Sequence, residues 1–194
     1  KILQEEGCGV DCSSLSELIM SDRVGFKGHD IMFSSNATPA EDFRKAFELG
    51  AIINFDDISH IPFFLEHVSS ELPEEISFRY NPGGIYEVSN GIMDNPGEAK
   101  YGMTHDQIME AARLVRNKGV KRLGLHAFLV SNAIGNDYYP ELARTLFDLA
   151  VEVRKESGLE ISFINLSGGI GVNYKPDQDA VDIHKVGEGV RKDY

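Results

Sequence analysis

Polar residues close a series of apolar runs in this chain, and their types are those of a chemical site. Asp11 falls in CGVDC, Ser34 and Asn36 follow DIMF, Asn54 and Asp56 flank the end of AIINF, and Arg79 and Asn81 end ISFRY. His126 lies in RLGLHAF and Asn165 in EISFINL. An acid, a guanidinium and an imidazole inside apolar strands are costly unless each is paired. Arg79 therefore needs an anion, which Asp11 on another strand or a ligand would supply. His126 reads as a hydrogen-bonded core histidine or as a catalytic one. Asp56 and Asp57 precede a helix and read as its caps. Lys100 and Tyr101 read as loop residues, on the surface or at a site.

A second pattern sits in INLSGGIGVNY, residues 164–174, where an apolar run stops at Gly168-Gly169. Such a pair makes either a plain turn or a place where bare N–H groups meet an anion. Ser131 stands just past another strand end, and N–H groups plus a hydroxyl are the donors a phosphate takes.

Positioning these groups requires parallel strands. Runs with strand character alternate with segments of helical period: Ile108, Ala111, Ala112 and Val115 share one face of 104–118, and Leu142, Leu146, Leu149, Ala150 and Val153 share one of 138–157. Ser14–Glu17, Thr38–Glu41 and Thr104–Gln107 read as capping boxes, with Pro39 at the first helical position. Gly50, Gly119 and Gly158 mark helix ends. The repeat is βα, whose short crossovers make the strands parallel. The segment 81–103 is too long for a simple turn and reads as functional. G-x-G-x-x-G fails at Tyr174, and no Walker or G-x-S-x-G motif is present.

These units predict an α/β fold of the TIM-type (β/α)8 barrel class, here incomplete with about six βα units in a single partial domain over 1–194. An open six-stranded sheet is the alternative. KILQEE reads as the end of a helix and 179–194 as an amphipathic helix with no strand after it, so the chain reads as a piece of a larger protein. Its net charge of −12 argues against nucleic acid. No run spans a membrane and no signal peptide opens the chain. Cys8 and Cys12 lie about 13 Å apart in a strand, too far for a disulfide, and read as reduced core thiols of a cytoplasmic protein.

In order and spacing these motifs resemble fold-type III pyridoxal-phosphate decarboxylases, the group of diaminopimelate and ornithine decarboxylases. The carriers are Gly9–Ser14 with Glu17, Ile52–Asp57, Ser77–Pro82, Ala99–Met103, Leu125–Asn132 and Asn165–Gly169. They resemble strands two to seven of that barrel, and the Arg-x-Asn-Pro stretch is most similar to diaminopimelate decarboxylase. The resemblance implies pyridoxal 5′-phosphate as cofactor, with Gly168, Gly169 and Ser131 at its phosphate and Asp11 and Arg79 in a charged network beneath it. His126 would be the first histidine of the sixth-strand motif. Phe128 replaces the second, which stacks on the pyridine ring; a phenyl ring stacks but donates no proton. Val130 replaces a glycine, and Asn165 the acid of the phosphate loop.

The resemblance also implies a lysine carrying the cofactor before Lys1, and a strand and a C-terminal β domain after Tyr194. The chain alone is then expected to be inactive and to bind the cofactor weakly. The parent would be a homodimeric decarboxylase of a small amino acid, meso-diaminopimelate foremost. Ornithine, arginine or carboxynorspermidine decarboxylases, an alanine-racemase-like enzyme, a non-catalytic homologue and a phosphosugar-binding barrel are the rivals.

Overall fold

The structure is a computed structural model and describes residues 2–84, 101–178 and 180–194. Six strands form one all-parallel sheet in chain order: β1 (Val10–Cys12), β2 (Ile31–Phe33), β3 (Ile52–Phe55), β4 (Glu75–Arg79), β5 (Arg122–His126) and β6 (Glu160–Asn165). The helices are α1 (Ile2–Glu5), α2 (Leu15–Val24), α3 (Ala40–Glu48), α4 (His60–His67), α5 (His105–Asn117), α6 (Tyr138–Ser157) and α7 (Ile183–Asp193), with a 3₁₀ turn at Gly28–Asp30.

The helix starts follow local chemistry. Thr104 and Gln107 complete a capping box at α5. Ser14 caps α2 by accepting from the Glu17 N–H, while the Glu17 carboxylate reaches one residue further back, to the Ser13 N–H at 2.6 Å. The box expected at Thr38 does not form. Pro39 itself takes the cap position of α3, and the buried Thr38 hydroxyl has no partner. Gly158 ends α6 at φ 71°, in the left-handed region where glycine carries no Cβ penalty.

Alternation along the strands separates two faces. Phe33, Phe55 and Phe78 are buried among the helices, where Phe43 of α3 and Phe64 of α4 meet edge-on at 5.7 Å. The opposite face carries Asn54, Ser77, Gly124 and Phe163 in adjoining register. A Cβ added to Gly124 would collide with the tip of the Phe163 ring, so that ring rests on the glycine. Met32 of β2 accepts a hydrogen bond at 3.0 Å from the Asn165 amide of β6. Strands four places apart in the sheet touch across that face. The sheet is therefore curled into a barrel wall, not laid open. Cys12 is buried with its thiol 3.3 Å from the Ser21 hydroxyl, but Cys8 is exposed, because β1 begins only at Val10.

Candidate functional site

The C-terminal strand ends hold a buried charge pair. Arg79 closes β4, and its Nη1 donates to the Asp56 carboxylate just past β3 at 3.0 Å; their side chains are only 7% and 4% exposed. Asp56 is therefore Arg79's counter-ion, not a helix cap, and the pairing expected with Asp11 is not made. Asp57 does act locally, accepting from the Ser59 N–H and hydroxyl. Arg79 Nη2 donates to the Phe128 carbonyl at 3.0 Å. Its guanidinium lies over the rings of Tyr101, 5.2 Å away, and Phe128, 5.8 Å away. The second Asp56 oxygen accepts from the Gly102 N–H at 3.3 Å. Gly102 (φ 86°) is pressed so close to Tyr80 and Asn81 that a side chain would crowd their backbone. Lys100 lies outside the described residues, as does most of the long segment before it.

His126 is in register with Arg79 on one side and Asn165 on the other. It is buried; Nε2 lies 3.3 Å from the Ser167 hydroxyl and, among the described residues, Nδ1 has no partner. Burial, helped by the Arg79 charge, pushes its pKa down to about 3, so the ring is neutral at ordinary pH. Asp11, in register with Met32, opens toward the lumen. The barrel wall displaces enough water to raise its pKa, while a 2.5 Å hydrogen bond from the Ser34 hydroxyl pulls the other way. Arg79 acts on it only through space.

The loops after β5 and β6 are joined backbone to backbone. The Ala133 N–H donates to the Gly169 carbonyl and the Gly171 N–H to the Ala133 carbonyl, each at 2.8 Å. The Tyr139 hydroxyl, from the first turn of α6, donates to the Gly168 carbonyl at 2.9 Å. Asn165 accepts from the Ser167 N–H at 2.7 Å. Gly169 sits at φ 89°, and a Cβ there would strike the Val130 carbonyl and come within 3.4 Å of the Ser131 Cα. Its bareness thus serves this loop contact. Gly168 differs, since a Cβ there would meet nothing within 4 Å. Both glycine carbonyls are engaged, yet among the described residues neither N–H donates to a protein acceptor.

Residues 1–193 match the family model described as pyridoxal-dependent decarboxylase, pyridoxal binding domain. The chain belongs to this family. Protein TabA of Pseudomonas amygdali pv. tabaci is 31% identical over 191 residues, covering 98% of this chain and 44% of its own. Diaminopimelate decarboxylase of Thermoplasma acidophilum is 30% identical over 195 residues, covering all of this chain and 47% of its own. The chain thus spans about half the length of the curated relatives it matches. Helicobacter pylori diaminopimelate decarboxylase, solved with L-lysine, superposes with a TM-score of 0.88 over 99% of this chain and 49% of that one; at 19% identity this speaks for the fold.

For a pyridoxal-binding domain, the donor set fits a phosphorylated ligand. Two adjacent N–H groups without protein acceptors stand beside Ser131, on a loop braced through its carbonyls. Of the candidates read from sequence, Arg79, His126, Phe128, Ser131, Gly168 and Gly169 are brought to neighbouring strand ends; Asp11 stands across the lumen with Ser34. Two contributors were not singled out. Ser167 (φ 63°) faces His126, and Tyr139 braces Gly168. A tyrosine pair opening a helix on its buried side was the available signal, because a buried hydroxyl needs a partner.

Proposed function

We propose that this chain forms most of the cofactor-binding barrel of a pyridoxal-phosphate-dependent amino-acid decarboxylase, with meso-diaminopimelate as substrate and L-lysine and carbon dioxide as products. The observation that carries the reading is the pair of N–H groups at Gly168 and Gly169, uncommitted among the described residues, while both glycine carbonyls are engaged. The substrate reading draws on the decarboxylase relatives, several of which act on diaminopimelate by name.

In this reading Gly168, Gly169 and Ser131 hold the phosphate. Phe128 offers an uncharged ring to a face of the pyridine, and the Asp56–Arg79 pair fixes the floor beneath it. His126, neutral and tied to Ser167, holds the loop and carries no charge to the site. Asp11 supplies a carboxylate at the lumen. Bound pyridoxal phosphate supplies the electron sink that accepts the pair left when the carboxylate departs as carbon dioxide; a proton then takes its place on carbon. The buried charges around it are fixed before the reaction, so little reorganisation accompanies the change in charge.

The test uses the full-length protein that carries this segment. Carbon dioxide release is measured from meso-diaminopimelate, L-ornithine, L-arginine and L-glutamate, with and without added pyridoxal phosphate. Cofactor-dependent release, fastest from meso-diaminopimelate, is expected. Faster release from another amino acid moves the protein to another member of the family. Tight cofactor binding with no release from any of them supports a non-catalytic homologue, the reading that Phe128 favours. We take the whole protein to be a homodimer, which sedimentation would check.

A further inference from the structure

We propose that Tyr139 is a positioning residue that aims the Gly169 N–H at the phosphate. This rests on the cofactor reading above and adds to it a residue outside the glycine loop. In a trans peptide the C=O and the following N–H point in opposite directions. The carbonyl of Gly168 and the N–H of Gly169 belong to one peptide unit. The Tyr139 hydroxyl holds that carbonyl at 2.9 Å from the side of α6. The Gly169 N–H must therefore face away from α6, toward the strand ends.

This unit needs such a brace. It lies between two glycines, which both reach conformations closed to other residues, so flipping the peptide plane meets little steric resistance. A Cβ at Gly168 would meet nothing within 4 Å, so packing does not fix the plane from that side. Tyr139 is itself held: it is 2% exposed, and its ring meets Tyr138 edge-on at 4.9 Å. The neighbouring peptide is fixed separately, by the Ala133 N–H on the Gly169 carbonyl. Tyr139 thus governs one N–H of the cradle.

Tyr139→Phe keeps the buried ring and deletes only the hydroxyl. In the full-length protein, dissociation constants are measured for pyridoxal 5′-phosphate and for pyridoxal, which lacks the phosphate, on wild type and variant. One hydrogen bond's worth of orientation predicts about tenfold weaker binding of pyridoxal phosphate, with pyridoxal unchanged. The ³¹P resonance of the bound cofactor should shift as well. An equal loss for both ligands would make Tyr139 merely structural, and no loss for either would also overturn its role. If the wild type itself binds the two ligands equally, the phosphate cradle fails, and the inference falls with it. If wild type and variant both prefer the phosphorylated ligand by the same factor, the cradle stands and only the role of Tyr139 is lost.

Discussion

The two ends of one sheet enclose charge to different degrees. At the N-terminal strand ends, Lys121 pairs with Glu74 at 2.5 Å with both side chains more than 60% exposed, and Glu75, itself only 9% exposed, pairs at 3.0 Å with an Arg122 that reaches solvent, beside a solvent-facing His29. At the C-terminal ends, Arg79 and Asp56 are enclosed and their partners continue into backbone at Phe128 and Gly102. A solvated pair contributes little to stability and is easily replaced. An enclosed pair costs desolvation that apolar packing would avoid. Only at the second end are both members of such a pair enclosed among the described residues, and that is the end where the cofactor reading places the site.

The contrast is most exposed to a single deletion at each end. Asp56→Ala leaves Arg79 charged and enclosed, and should lower unfolding stability by about 3–5 kcal/mol in urea titrations. Glu74→Ala, at the solvated end, should leave the urea midpoint where it was. Comparable shifts would erase the distinction between the ends.

The glycines sharpen it within the site. Gly169→Ala forces a side chain into a left-handed backbone and against the Val130 carbonyl, so a loss of ~2 kcal/mol or more is expected on melting. Gly168→Ala places its methyl in open space and should melt within about 0.5 kcal/mol of wild type. It should nonetheless bind pyridoxal phosphate less well, because the added methyl stands at the cradle. A Gly168→Ala protein with full cofactor affinity would argue against a phosphate there.

The third effect concerns pH. His126 has a folded pKa near 3 against an ordinary 6.5, so between those values the unfolded chain binds the extra proton. Stability is therefore full above the ordinary value and falls with decreasing pH, by up to ~1.4 kcal/mol per pH unit. Asp11, shifted upward, contributes with the opposite sign near the ordinary carboxylate range. Comparing His126→Asn with wild type isolates the histidine: the variant's acid limb should be flatter, and superimposable limbs would show the ring is not buried as described.

The smallest expected effect is a gain. Asn54 is fully buried with neither amide atom paired among the described residues, beside an equally orphaned Ser77. Asn54→Leu should raise stability by about 1 kcal/mol. A loss on calorimetry would mean the amide is satisfied, for instance by an ordered water.

Much of this was legible in the residues. The strands fall on the apolar runs, β4 beginning one residue early at Glu75, and α6 occupies 138–157 as its periodicity requires. The start of α3 was not legible, because Pro39, whose carbonyl accepts from the Phe43 N–H at 3.3 Å, serves as the cap without using Thr38. Arg79's need for an anion could be read from its place in a strand. Its partner could not, since choosing Asp56 over Asp11 depends on the adjacency of β3 and β4 and on how the chain leaves each. Gly168 and Gly169 were read together as bare for a ligand, but the close approach of Val130 gives Gly169 a second reason that only two loops in contact reveal.

The Phe163 ring resting on Gly124 gives β5 and β6 one shared volume, filled entirely from one side. Sequence drift at these two positions should therefore be locked together. A descendant that shrinks residue 163 gains room to enlarge residue 124, whereas enlarging 124 first evicts the ring. Across relatives the two should trade bulk as a pair, with residue 163 moving first.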